Sequence, residues 1–346
     1  VGLFNDRLKS EDGKTKVPVW FMRQAGRYHS HYQNIKKDSD FMSMCKTPQL
    51  ANDVTMGPIE DFNFDAAILF SDLLFPLEQM GLGLEYSPGP KLETHFDHPD
   101  KISALKMIEK PEDFYHFQKE ACSILRTNLP ASKTLLGFVG APFTLYTYAC
   151  SGGHSGNLIN PKQGFYDGRW QAFNEVLFDS LITEASLQIQ GGANAMCFFD
   201  TAAGECTFED YKEFILPKVR ALTKELKTHH PDTKIIYYSK FTHLNYMKEI
   251  QDDNIDVLGI DWRVDIVSAL NELGKDYMVQ GNFDPAHLHL PWPILEKKLL
   301  SFWESVQQTK TSLDRWICGL GHGVLQHTPE ENVRNTIKYI HKNFKY

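Results

Sequence analysis

The sequence predicts an α/β protein, a single (β/α)8 TIM barrel over residues 1–346, with its active site at the C-terminal face of the strands. Three observations lead there. Eight short apolar runs, at 17–20, 66–70, 135–139, 195–199, 234–238, 257–260, 277–280 and 316–318, recur along the chain. Helical patterns separate them, as a parallel sheet covered on both faces requires. A polar or glycine-containing turn follows each run, and in a barrel those turns converge on the catalytic face.

The helices carry their own start signals. Thr47-Pro48 supplies a cap and a proline at the first helical position. Thr207-x-x-Asp210 is cap-like, and Thr328-Pro329-Glu330-Glu331 predicts a capping box with proline at the first position. Pro217 interrupts the pattern after Thr207 and predicts a break or kink. In the last helix Val333, Ile337, Ile340 and Phe344 share one face, directed at the barrel. Residues 81–100 are rich in proline and glycine and read as a surface excursion after the second strand.

Bulk properties exclude several classes. The formal net charge is 36 minus 44, or -8, without a Lys/Arg-rich run, so no nucleic-acid partner is expected. An anionic ligand would need a local basic cluster working against that charge. The six cysteines, at 45, 122, 150, 197, 206 and 318, are scattered without metal-binding or disulfide spacing, and Cys197 and Cys318 read as small buried hydrophobes. Residues 1–16 lack the apolar core of a signal peptide, and no apolar stretch is long enough to span a bilayer. The expectation is a cytoplasmic protein without a membrane partner.

The chemistry is concentrated at the strand ends. Arg23 and Arg27 are four apart on the first turn with Gly26 between them and Gln24 and Tyr28 adjacent. Two guanidiniums there can each grip a carboxylate bidentately, although a surface pair is the plain alternative. Asp72 emerges from Ala-Ile-Leu-Phe-Ser into the mouth, or else caps the next helix. Asp200 carries the same ambiguity; Asp261 favours a structural role because Arg263 offers a nearby partner. His322, between two glycines, is a hydrogen-bonding or acid–base candidate against the alternative of a core histidine. The run from Gly152 to Gly156 lacks a P-loop ending, and Gly319 to Gly323 lacks dinucleotide spacing, leaving phosphate binding open there.

Taken together, these motifs resemble the uroporphyrinogen decarboxylase family. Pro18-Val19-Trp20-Phe21-Met22-Arg23-Gln24-Ala25-Gly26-Arg27-Tyr28 is similar to its most distinctive block, and Phe64-Asp65-Ala66-Ala67-Ile68-Leu69-Phe70-Ser71-Asp72 to its second. Ala141-Pro142-Phe143-Thr144-Leu145 through Tyr148, Phe199-Asp200-Thr201, Gly259-Ile260-Asp261-Trp262, Gln280-Gly281-Asn282-Phe283-Asp284-Pro285 and Leu320-Gly321-His322-Gly323 continue the series in order. The resemblance implies decarboxylation of the four acetate side chains of uroporphyrinogen to give coproporphyrinogen, without metal or organic cofactor, in a homodimer. It also implies catalytic roles for Asp72, Arg23, Tyr148 and His322, and substrate contacts from those four with Gln24, Arg27 and Thr201.

The chain departs from the family pattern at several points. His29-Ser30-His31-Tyr32 stands where Leu-Pro-Glu precedes the aromatic, and Lys36 where arginine is typical. Phe241 follows Lys240 where the family has glycine, Ser151 replaces an acid, and Gly319 replaces asparagine. Three rivals differ in kind. A zinc methyltransferase of the same superfamily needs a His-x-Cys pair, which the chain lacks. A Schiff-base lyase would use Lys240, and a degenerate relative would bind tetrapyrroles without turnover.

Overall fold

The computed structural model describes residues 2–4, 13–86, 89–106, 108–153 and 156–346. Seven parallel strands form one sheet in the order β1 (Ala66–Ile68), β4 (Thr134–Gly140), β5 (Ala195–Asp200), β6 (Lys234–Ser239), β7 (Val257–Gly259), β8 (Met278–Gln280) and β9 (Trp316–Ile317). Each pairs in parallel with the next of the seven, as successive β–α–β units do. The remaining two strands, β2 (Glu85–Tyr86) and β3 (Pro90–Lys91), make a separate antiparallel pair.

The expected first strand, 17–20, is a correction. It forms no ladder but fills the place between the two edges of the sheet. Val19 bridges Cys318, Trp20 N–H and Pro18 C=O both bond Cys318, and Val19 C=O accepts from Asp65 N–H. The physical reason is Pro18, which has no N–H to give and so cannot sustain a two-sided ladder.

Side-chain parity sorts the core. Leu136, Phe138, Ala195, Cys197, Phe199, Ile236, Tyr238 and Val257 alternate along their strands into one interior cluster with Trp20. Their neighbours Leu135, Met196, Phe198, Ile235, Tyr237 and Leu258 face outward against the helices. Each such fully buried apolar side chain contributes about 1.5–3 kcal/mol relative to exposure. The interior is therefore a packed plug, and only the strand-end loops are left to bind anything.

The helix signals had mixed outcomes. Thr47 is the N-cap of Pro48–Phe62, and the Thr207 hydroxyl accepts from Asp210 N–H as expected. Pro217 sits in the first turn of Leu216–His229, immediately after a widened π turn at Tyr211–Ile215, so the helix is interrupted there. The Thr328 capping box does not form. The helix Glu330–Asn343 starts after Pro329, Thr328 bonds His289 Nε2 instead, and Glu330 accepts from Ser30 N–H. Val333, Ile337, Ile340 and Phe344 are buried along one face. All six cysteines are free and buried, and among the described residues no helix is long and apolar enough to cross a membrane. His154 and Ser155 of the first glycine-rich run lie outside the described residues, as do positions 5–12 of the N-terminal segment.

Candidate active site

The loop after 17–20 is built under tension. Arg23 adopts a left-handed backbone (φ 58°), which costs an L-residue with a Cβ about 1–2 kcal/mol. Two neighbours hold it. Val324 N–H donates to Met22 C=O, and Gly323 admits the Arg23 side chain, since a Cβ there would stand 2.5 Å from Arg23 Cδ. The second glycine of Gly-His-Gly is thus required by the arginine stem. Gln24 turns inward: it is buried, and its amide donates to Ala66 C=O, while Tyr28 Oη donates to Gln24 C=O. Gln24 braces the loop against β1. Arg27 is exposed and lies toward Tyr32 rather than toward the Asp72 group.

Asp72, Arg23 and Tyr148 are brought together. Asp72 Oδ1 accepts from Leu74 N–H at 2.8 Å, so the local-turn alternative also holds, and the second oxygen is left to other partners. Burial raises the Asp72 carboxyl above the ordinary range; the Tyr86 hydroxyl, the Leu74 N–H and Arg23 pull it back. Burial and then Asp72 push the Tyr148 phenol up, against Arg23. Tyr86 was not legible beforehand. It lies on β2, within the 81–100 segment read as a surface excursion. That segment instead buries Phe96, and it carries the Tyr86 ring onto Phe41 at 4.4 Å between centroids. The Tyr86 hydroxyl is buried beside Asp72 and favours its ionised form.

His322, beside the Arg23 loop, is half-buried. Its Nδ1 lies 3.4 Å from Tyr238 Oη, which donates to Gly321 C=O, and its ring stacks near Tyr238 and Trp262. Thr201 follows β5 and is nearly buried. Asp200 is structural: it accepts from Thr144 Oγ1 and Tyr237 Oη, and burial lifts its carboxyl to about 6. Asp261 accepts from Phe241 N–H, Arg263 N–H and the Arg263 guanidinium, as its structural reading expects.

A second missed group is Glu184, on the long helix Arg169–Gln190. Gln118 donates to both Glu184 Oε1 and Ser71 Oγ, and Gln188 joins Gln118 to Phe138 C=O. This buried relay backs the residue preceding Asp72. Burial pushes the Glu184 carboxyl up to about 8, so it is protonated at neutral pH. The unfolded state loses that proton from about pH 4.5 upward while the folded state keeps it. Stability therefore falls between about pH 4.5 and 8, by about 1.4 kcal/mol per unit at most. Glu184→Gln removes the titration, so its stability relative to the parent should rise across that window. Denaturant unfolding at pH 5 and pH 8 checks this; an advantage no larger at pH 8 would refute it.

Among the described residues, one group has metal-ligand composition: His29, Asp61 and Glu330. His29 Nε2 sits 2.6 Å from Asp61 Oδ2, and Arg334 bonds both Glu330 and Asp61 C=O. Arg334 already pairs with Glu330 and His29 with Asp61, and the group lies at helix ends.

The sequence profile described as Uroporphyrinogen decarboxylase (URO-D) matches residues 7–343. This chain belongs to the uroporphyrinogen decarboxylase family. Two relatives show the extent of similarity. A uroporphyrinogen decarboxylase of Thermodesulfovibrio yellowstonii is 36% identical over 95% of this chain and 94% of its own. One of Pelobacter propionicus is 35% identical, covering 94% of each. Among solved structures, a methyltransferase from Methanosarcina mazei superposes with a TM-score of 0.72 at 15% identity, over 94% of each chain. That likeness shows the fold alone. Family membership makes the chain a carboxy-lyase of tetrapyrrole biosynthesis, with the mouth of the barrel as its candidate site.

Proposed function

We propose that the chain decarboxylates the four acetate arms of uroporphyrinogen to methyls, giving coproporphyrinogen, and that the Asp72–Arg23–Tyr148 group is its centre. The observation that carries the reading is a carboxylate held among hydroxyls and a guanidinium at the mouth of an otherwise plugged barrel. An ionised carboxylate offers about four lone-pair sites, which suits the four inward pyrrole N–H groups of the macrocycle.

The reaction follows from charge. Breaking the bond between an acetate CH2 and its carboxylate leaves an electron pair that the pyrrole must accept. A proton added to the pyrrole ring makes that ring a cation and an electron sink. The pair then moves into the ring as CO2 leaves, and a second proton taken up at the exocyclic carbon completes the methyl as the first is returned. Asp72 stabilises the cationic ring throughout. Tyr148, Thr201 and His322 orient carboxylates by hydrogen bonds, and Arg23 and Arg27 pair with them. Gln24, turned inward, serves by bracing the loop that carries Arg23. Arg23 as proton donor is poorly matched, since a guanidinium scarcely ionises at neutral pH. No metal or organic cofactor has a step in this scheme. We further read the chain as one barrel domain acting as a cytoplasmic homodimer.

Anaerobic incubation with uroporphyrinogen, then oxidation and chromatography of the porphyrins, tests the function. Products with seven to four carboxylates are expected; folded protein yielding none would refute it. The Tyr86 hydroxyl supplies a finer test. Activity needs ionised Asp72 and so is lost as pH falls through its raised pKa. Tyr86→Phe removes a group favouring the ion, so the acid limb of kcat/KM should move to higher pH. A limb that stays put or moves down would remove Tyr86 from the mechanism.

A further inference from the structure

The ring of strand positions places β6 and β7 opposite the 17–20 segment and β1. The turns after β6 and β7 carry Lys240, Phe241, Trp262 and Arg263. Phe241 has a left-handed backbone (φ 62°), at the position where the family resemblance expects glycine. A bulky aromatic there is an outlier that persists only when its surroundings enforce it. The enforcement is visible. Phe241 N–H donates at 2.7 Å to Asp261 Oδ2, and Gly204 N–H donates to Lys240 C=O. A Cβ on Gly204 would stand 2.3 Å from the Phe241 carbonyl carbon, so the turn is clamped from below.

What the strained turn achieves is the placement of charge. The Phe241 ring lies 4.1 Å from Arg263 Cζ and 4.4 Å from Lys240 Nζ, and Trp262 lies 4.0 Å from Arg263 Cζ. Aromatic faces hold cations in position while leaving their N–H groups free to bind anions. Trp262 also stacks toward His322, which makes the assembly continuous with the candidate site. Arg263 pairs with Asp261, whose carboxylate is already used by two backbone N–H groups. Among the described residues Lys240 Nζ has no ion pair, and Asp261 and then Glu205 favour its charge only at a distance. Lys240 is close enough to Arg263 and Arg23 for each to disfavour its charge. Asp261 compensates one of these two cations, so the pair keeps a net positive charge that attracts an anion in a chain of net charge -8.

We propose that Lys240 and Arg263 form a second carboxylate-binding station, carried on the turns after β6 and β7, that favours macrocycles with more carboxylates. The station deepens the decarboxylase reading and rests on it for the identity of the ligand. A ring centred on Asp72 reaches Arg23 with some arms and Lys240–Arg263 with others. A ligand with four carboxylates instead of eight offers each station fewer partners.

The test uses the intact chain and two stable oxidised probes, uroporphyrin and coproporphyrin, which carry eight and four carboxylates. Binding is followed by fluorescence quenching at several salt concentrations. Lys240→Gln, which breaks no hydrogen bond, should weaken uroporphyrin binding about tenfold, the effect of one lost charge-assisted contact. It should also flatten the salt dependence and narrow the preference over coproporphyrin. Phe241→Gly relieves the backbone while removing the ring that holds Lys240 and one face of Arg263, so it should weaken the same selectivity. Unchanged affinity, salt slope and selectivity in folded Lys240→Gln and Arg263→Gln would overturn the station. A parent protein inactive on uroporphyrinogen would sink the decarboxylase reading instead, and the porphyrin affinities would still judge the station.

Discussion

Asp72→Asn is expected to lower kcat by about 10²–10³, the loss typical of removing one preorganised electrostatic contact. Asparagine keeps the size of the side chain and can still accept from Leu74 N–H, so the turn after β1 survives. What disappears is the negative charge facing the macrocycle. The amide also presents N–H groups toward pyrrole N–H groups, so binding should weaken as well. Single-turnover assays under anaerobic conditions separate the two effects, because the chemical step is then read with all substrate bound. A variant that binds less tightly but reacts at the parental rate would show that Asp72 positions the ring without stabilising its charge. The substitution also relieves a burial cost, since Asp72 is held above the ordinary carboxyl range. Stability should therefore be unchanged or slightly higher while activity collapses.

Arg169→Met is expected to destabilise the fold by about 3–5 kcal/mol, the usual cost of leaving one member of a buried ion pair without its partner. The Arg169 guanidinium is 1% exposed and forms a fork on Asp167 with N–O distances of 2.7 to 3.0 Å. It also donates to Asn160 Oδ1, Asn160 C=O and Phe96 C=O. Those contacts tie the start of the long Arg169–Gln190 helix to the segment that follows β3. Phe96 packs there against Tyr146 and Phe173. Because that segment also carries Tyr86, the variant should lose activity at temperatures where it is still folded. Denaturant titration gives the stability change, and a loss under 1 kcal/mol would mean that water replaces the guanidinium.

Much of this molecule was legible in the sequence because buried parallel strands have a simple signature. Each of β1 and β4 to β9 is covered on both faces, so each reads as an uninterrupted apolar run, and each was found within two residues. The helix start at Thr47-Pro48 and the Thr207 cap are local features of neighbouring residues and were equally visible. Arg23, Asp72 and His322 stand just after apolar strands and were candidates on that ground, whereas Tyr148, on the helix Pro142–Ser151, was offered only by the family resemblance. Thr328 failed because its hydroxyl and Glu330 found partners far away in the chain, His289 and Ser30, which no local pattern encodes.

The sequence by itself determined the order of strands, the face that carries the chemistry and the family to which the motifs point. These follow from side-chain periodicity and from residue types fixed at strand ends. Only the tertiary structure decided which of those residues meet. It turned Gln24 into the core, left Arg27 exposed, brought Tyr86 back over Asp72, and placed the neutral Glu184 behind the strand end. It also set Lys240 and Arg263 at the same mouth as Arg23. Such pairings join residues 14 to 240 positions apart, and their energies depend on burial and on distances through space, quantities that exist only once the barrel has closed.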